Sequence, residues 1–286
     1  MFKYGIVILN YNSHSDTIDL TNNLLSFNIT SLKIVIVDNC SSREGFDEVI
    51  AKFLTLPNVH VIENKENRGY GYGNNIGIKY LLDSGVRYIL ISNPDIEINS
   101  PYVLHEMFRI IKENKYPVIA PQVLNVQSQI INPSNRKRPS NEEIEKIRLR
   151  HSTVFRYIYY FILCIIYLLS FNKWNRKRKN FDHNPSIKTT EVYRVHGSFF
   201  MIDLKFFITN NIFPVFDENV FLFFEEYIIA EKVKSNEGKI LLLNYVNVLH
   251  KEDASQKKDI LNRIKYEIMA SRALGYVYNN YFKVCK

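Results

Sequence analysis

The run Tyr88-Ile89-Leu90-Ile91-Ser92-Asn93-Pro94-Asp95-Ile96-Glu97 decides how this chain is read. Its opening is apolar and β-prone, the signature of a buried strand. The strand must stop at Asn93-Pro94-Asp95, because proline fixes its own φ, restricts the residue before it and offers no N–H to a sheet ladder. Asp95 therefore stands where a strand leaves the sheet, the edge at which open α/β sheets bind ligands. Taken alone, Asn, Pro and Asp are also ordinary turn residues. The neighbouring segments have to discriminate.

Upstream, further short apolar runs occur at Tyr4 to Leu9, Leu32 to Val37 and Val59 to Ile62, and a weaker one follows at Val118-Ile119-Ala120. Between them, Ser15 to Phe27, Phe46 to Leu54 and Asn74 to Leu82 carry apolar residues at helical spacing. Alternating strand and helix predicts a mostly parallel sheet with helices on both faces. Each strand end is polar: Asn10-Tyr11-Asn12-Ser13, then Asp38-Asn39-Cys40-Ser41-Ser42, then Asn64 to Gly69 leading to Asn74-Asn75, then Asn93-Pro94-Asp95. One aspartate after a strand is commonly a helix cap. Four such loops in succession predict a ligand crevice.

Gly69, Gly71 and Gly73 alternate with Tyr70 and Tyr72, which is not the spacing G-x-G-x-x-G, and no G-x-x-x-x-G-K-[ST] occurs. A nucleotide bound here would need a metal to hold its phosphates.

The 286 residues suffice for a substantial core, and 46% hydrophobic residues exclude a disordered chain. Cys40, Cys164 and Cys285 lie far apart without metal-ligand spacing, so a reducing compartment and no disulfide framework are expected. Tyr4 to Leu9 is too short for a secretory signal core and reads as the first strand.

The net charge of +8 is concentrated. Arg136 to Lys179 holds seven Arg and five Lys against three Glu, so the rest of the chain is close to neutral. Within it, Val154 to Phe171 is apolar apart from Arg156 and Ser170; as a helix it would be about 27 Å long. Two readings stay open: a helix packed on the domain, or one lying in a cytoplasmic membrane interface with basic flanks on anionic lipid. A single span would put the two halves of the site on opposite sides of the bilayer. A nucleic-acid partner would leave the apolar helix and the acidic crevice unexplained.

After Thr189, Tyr193 to Ile202 reads as a strand entered through a polar turn. Phe221 to Val233 places Glu225 and Glu226 in the first turn of a helix, where acids also simply complement the macrodipole. Lys239 to Leu249 is a further strand ending at His250, and Gln256 to Leu274 reads as an amphipathic helix.

Together these motifs resemble the inverting nucleotide-sugar glycosyltransferases of family 2, with a GT-A fold, and look most like the rhamnosyltransferase-like branch that builds bacterial surface polysaccharides. The resemblance rests on Val7 to Ser13, Val35 to Ser41, Asn67 to Gly77, Asn93-Pro94-Asp95, His196-Gly197-Ser198, Phe216-Asp217-Glu218, Phe223 to Glu226 and His250. It covers residues 3 to 255 apart from the basic segment. It implies a nucleotide-sugar-binding half at 1–135, a basic and apolar helical insert at 136–185, an acceptor-side half at 186–255 and a C-terminal helix at 256–286.

The resemblance also implies roles. Asn10, Asn12, Asp38 and Asn39 would contact base and ribose; Arg68, Asn74 and Asn75 would line the floor beneath the nucleotide. Asn93 would be a positioning group. Asp95 and His250 would hold Mn²⁺ or Mg²⁺, hard cations suited to carboxylate and diphosphate oxygens. Glu226 stands at the position of the base, beside Glu225; in the family this acidic pair usually ends in Asp. The implied activity is metal-dependent transfer from dTDP-rhamnose or a UDP-sugar to a saccharide, lipid-linked, at the inner face of the cell membrane. The alternative is a non-catalytic sugar-nucleotide or polysaccharide-binding member of the same fold.

Overall fold

The computed structural model describes residues 3–113, 115–150, 187–251 and 260–283. Strand β1 (Tyr4–Asn10) lies between β2 (Leu32–Asp38) and β4 (Tyr88–Ser92), with β3 (Val59–Glu63) beyond β2, all parallel. On the other side of β4 comes β8 (Phe199–Asp203), antiparallel to it, then β6 (Val118–Asn125) and β9 (Ile240–His250), which run parallel to each other. Two short strands, β5 (Ile96–Glu97) and β7 (Thr189–Val192), pair antiparallel with β9. The sheet is thus parallel in its first half and mixed in its second. The reason is local. Tyr193 to Ser198 is an irregular run ending in a turn, so the expected strand begins only at Phe199, and the run delivers the chain to the carboxyl end of β4, where Phe199 pairs with Ser92. From there β8 can only descend antiparallel.

The helices are α1 (His14–Ser26), α2 (Arg43–Phe53), α3 (Tyr70–Asp83), α4 (Pro101–Glu113), α5 (Asn141–Arg150), α6 (Leu204–Thr209), α7 (Glu225–Ser235) and α8 (Ile260–Val277), the last continuing into a π-helical turn, Tyr278–Phe282. Alternation along the strands divides the core in two. Val7, Leu9, Val35, Val37, Ile89 and Ile91 face α3, α6, α7 and α8, whereas Ile6, Ile8, Ile34, Ile36 and Leu90 face α1, α2 and α4. Because both faces are covered, the strands read in sequence as unbroken apolar runs. Each such buried side chain stabilises by about 1.5–3 kcal/mol relative to exposure.

Helix α4 was not among the expected elements. Its Val103, Leu104, Met107, Phe108 and Ile111 are buried at helical spacing, and Pro101 opens it at the position where a missing N–H costs nothing.

The start of the basic segment is built into the domain. Tyr193 donates its backbone N–H to Arg136 O, and Arg138 forms a two-pronged pair with Glu231 on α7 at 2.8 and 3.0 Å. Ile144 of α5 is fully buried. Val154 to Phe171, the apolar stretch that raised the question of membrane contact, lies outside the described residues. No helix among the described residues is long and apolar enough to cross a membrane.

Candidate active site

The carboxyl ends of β1 and β2 are cross-tied. Asn10 donates to Asp38 Oδ1 at 2.6 Å and accepts from Thr17 Oγ at 2.8 Å, while the Ser41 N–H donates to Asp38 Oδ2. Asn12 sits at a left-handed φ of 52° and accepts from the Ser42 N–H, which locks the loop after β1 to the loop after β2. Asn39 bonds Asn67, Asn64 and the Gly69 carbonyl, so the third loop joins the same edge. These residues line one polar rim. Their buried carboxylate and amides can bind a base or a ribose only through lone pairs and N–H groups that the cross-ties leave over.

Helix α3 and the residue before its N-cap add further polar groups. Asn75 is committed to the later half of the chain: it bonds the Phe216 carbonyl and Glu218 and accepts from the Phe216 N–H. Arg68 is about half exposed, lies 3.8 Å from Glu66 Oε1 and stacks over Tyr72 at 4.1 Å. Asn74 is fully buried and its Oδ1 has no partner.

The turn after β4 brings in the metal candidates. Register pairs Ile96 with His250, and the Lys251 N–H donates to the Asp95 carbonyl. His250 Nε2 then lies 3.1 Å from Asp95 Oδ2. Asp95 Oδ1 and His250 Nδ1 are both buried without a hydrogen-bond partner. Orphaned buried polar atoms are costly and call for a ligand. A carboxylate and an imidazole suit a divalent cation that also accepts diphosphate oxygens. Among the described residues no group of three or more His, Cys, Asp and Glu converges, so the remaining ligands of such a cation would be substrate or water oxygens.

The acidic pair opens α7. Phe223 and Phe224 before it both adopt positive φ, 75° and 67°, a strained pair of left-handed residues that turns the chain sharply into the helix. Glu225 is buried, and burial together with the neighbouring Glu226 pushes its carboxyl up to about 8. It therefore holds a proton at neutral pH. Glu226 is more exposed and faces Arg194, whose Nη1 is 3.8 Å from its Oε2. Two adjacent carboxyls thus sit in different environments, Glu225 buried and Glu226 partly exposed beside a guanidinium.

Three residues without an expected role link the two constellations. Tyr70, whose hydroxyl is pushed above the ordinary tyrosine value chiefly by burial, contacts Asn93 Oδ1 at 3.2 Å and donates to the Gly197 carbonyl at 2.9 Å. The Asn93 N–H donates to the Ser198 carbonyl, and the His196 ring lies 5.5 Å from that of His250. Arg194 stacks over Tyr227 at 3.9 Å. His196 and Tyr70 belonged to quoted motifs but were given no role there, and nothing in the spacing marks Arg194; only the folded chain assigns their contacts.

Behind this site the C-terminal helix acts as a buttress. Tyr276 and Tyr281 both donate to Asp217 Oδ2, and Lys232 donates to the carbonyls of Ile212, Pro214 and Val215. Burial works against ionisation of Asp217, but these hydroxyls and Asn219 hold its carboxyl below the ordinary range. Burial brings the Lys232 ammonium down to about 8.

A central sheet of this order, with polar loops at the carboxyl ends of its parallel strands and an acidic helix start beside them, defines the GT-A class of fold. Residues 5–205 match Glycosyl transferase family 2, and the chain belongs to that family. A curated relative, the low-salt glycan biosynthesis hexosyltransferase Agl10 of Haloferax volcanii, is 35% identical over 131 residues, 46% of this chain and 39% of the relative. The match therefore spans well under half of that protein's length. Among solved structures, GalNAc-T7 with UDP, GalNAc and Mn²⁺ superposes with a TM-score of 0.61 at 14% identity, over 99% of this chain and 50% of the other. S. aureus TarS 1-349 with UDP-GlcNAc gives 0.55 at 16%, over 98% and 73%. The mannosyltransferase PcManGT of Pyrobaculum calidifontis with GDP-Man and Mn²⁺ gives 0.54 at 12%, over 96% and 70%. At these identities the likeness is one of fold.

Proposed function

We propose that the chain is a metal-dependent inverting glycosyltransferase that moves a sugar from a nucleoside diphosphate donor to a hydroxyl of a saccharide acceptor. One observation carries this reading: the Asp95–His250 pair and the Glu225–Glu226 pair meet through Asn93, Tyr70 and Gly197 at the carboxyl edge of the sheet. A site needs both ends, one for the leaving diphosphate and one for the attacking hydroxyl.

Asn10, Asn12, Asp38 and Asn39 form the rim for base and ribose, with Asn74 beneath. Asp95 and His250 would hold Mn²⁺ or Mg²⁺, which would supply positive charge to offset that developing on the leaving diphosphate. Glu226 takes the proton of the acceptor hydroxyl as its oxygen attacks the anomeric carbon from the face opposite the diphosphate. Glu225, protonated and buried at the helix start, positions that turn and is not the base. Residues 1–135 serve the donor and 186–255 the acceptor.

The donor is a UDP-sugar or dTDP-rhamnose, and the acceptor a lipid-linked saccharide in surface polysaccharide synthesis at the inner face of the cell membrane. The basic stretch with the apolar run Val154 to Phe171 supports that location.

A panel of UDP-, GDP- and dTDP-sugars, assayed for nucleoside diphosphate release with Mn²⁺, Mg²⁺ or chelator, tests the activity. Calorimetry showing no donor binding in any metal condition would refute it. Replacing Glu226 by Gln should lower turnover by about 10²–10⁴-fold. Flotation with phosphatidylglycerol vesicles, lost on replacing residues 151–186 by a flexible linker, tests the membrane contact; unchanged flotation removes it.

A further inference from the structure

Arg194 is held as no surface arginine needs to be. Its backbone forms a two-way bridge with Asn135, the N–H of each residue donating to the carbonyl of the other at 3.1 and 3.3 Å. Its Nη2 donates to the Asn135 side chain at 2.7 Å, and its guanidinium lies 3.9 Å over the Tyr227 ring. The side chain is 14% exposed, and its Nε is buried with no partner. Such fixation takes away the rotamer freedom that usually makes arginine a weak positioner.

The fixed guanidinium points Nη1 toward Glu226 Oε2 and stops 3.8 Å short. That gap is too long for a hydrogen bond, and a polar gap of this size is where a bridging oxygen sits. An oxygen about 2.7 Å from the carboxylate oxygen and about 2.9 Å from the guanidinium nitrogen can sit to one side of that line and touch both groups. Glycine at 197 keeps the carboxylate in place, because a Cβ there would come 2.9 Å from Glu226 Oε1.

We infer that Arg194 and Glu226 form a two-point clamp on the attacking hydroxyl, Arg194 donating an N–H to its oxygen while Glu226 accepts its proton. The inference rests on the reading of Glu226 as the base. In the transfer step the hydroxyl O–H bond breaks toward Glu226 and its oxygen bonds the anomeric carbon. The bond from that carbon to the diphosphate oxygen breaks, and its electron pair leaves with the diphosphate. Arg194 fixes the direction of the oxygen lone pair and is unchanged at the end. Its donor differs from an ordinary oxyanion contact in that the oxygen becomes less negative as the new bond forms, so the gain is in orientation.

The test uses hydrolysis of the donor, with water as the attacking hydroxyl, so that the natural acceptor need not be known. The probes are UDP-GlcNAc, UDP-glucose, GDP-mannose and dTDP-rhamnose, and the one turned over fastest is followed. Arg194→Ala should lower kcat by about 10²-fold with the donor KM and calorimetric donor affinity retained. Millimolar guanidinium should restore about tenfold of that loss by filling the vacated position, and Arg194→Lys should fall between the two. Wild-type kcat in Arg194→Ala overturns the proposal. So does a loss that guanidinium does not restore and that weakens donor binding in proportion, which is the mark of a structural role. Glu226→Gln, run in parallel, separates the two readings. Full activity there removes the base and the clamp together, whereas an inactive Glu226→Gln beside a normal Arg194→Ala removes the clamp alone.

Discussion

His250 Nε2 sits 3.1 Å from Asp95 Oδ2, although 155 positions separate the two residues in the chain. The pairing of Ile96 with His250 brings them together, and the other polar atom of each side chain is buried without a partner. Removing either residue should therefore weaken Mn²⁺ binding. Asp95→Ala and His250→Ala are each expected to lose about 10–100-fold in Mn²⁺ affinity by calorimetry, with melting temperature little changed. Wild-type affinity in both would place the cation elsewhere.

Glu225 makes stability depend on pH. Its ordinary value is 4.5 and the fold raises it to about 8, chiefly through burial. The folded protein keeps a proton that the unfolded chain releases. The contribution is thus complete below pH about 4.5 and is lost as pH rises toward about 8. Glu225→Gln mimics the protonated acid, so its melting temperature at the alkaline end should exceed that of the wild type by about 2–4 °C. Parallel pH–melting curves for the two proteins would show that the burial cost is not carried by this residue.

Two glycines should respond differently to alanine. Gly69 has a φ of 107°, and a Cβ there would come 2.2 Å from the Phe221 carbonyl, where only backbone could yield. We expect Gly69→Ala to cost about 2 kcal/mol or more in chemical denaturation. At Gly197 the obstructing atoms belong to the Glu226 side chain, which can move. Gly197→Ala should keep near-normal stability and lose turnover. If the stability losses are equal, Gly197 serves the fold and not the carboxylate.

Arg138 pairs with Glu231, which is 2% exposed and also accepts from the Tyr193 hydroxyl. Arg138→Met would strand a buried charge, and a loss of about 3 kcal/mol is expected. The double variant Arg138→Met with Glu231→Leu should recover part of it, measured as the coupling in a denaturation cycle. Additive losses would mean that the pair contributes little.

Apolar runs and helical spacing were enough to place β1, β2, β3, β4, β6 and α1 to α3 close to where they lie, because burial on both sheet faces leaves a strong local pattern. The polar strand ends were legible for the same reason: a chain leaving a sheet must change composition. The irregular run Tyr193 to Ser198 was not, since its apolar residues satisfy a strand pattern equally well. What set it apart was its bonding to Asn135, Asn132 and Asn93, contacts far away in sequence.

Local pattern was enough for the fold class and for the types of residue available at the sheet edge, including both acids at 225 and 226. Which groups face one another was set by packing. It joined Asp95 to His250, turned Asn75 toward Phe216, and gave Glu226 an arginine while leaving Glu225 buried. The physical reason is that protonation, pairing and orientation depend on distance and burial. Those are properties of the packed chain, and no residue carries them alone.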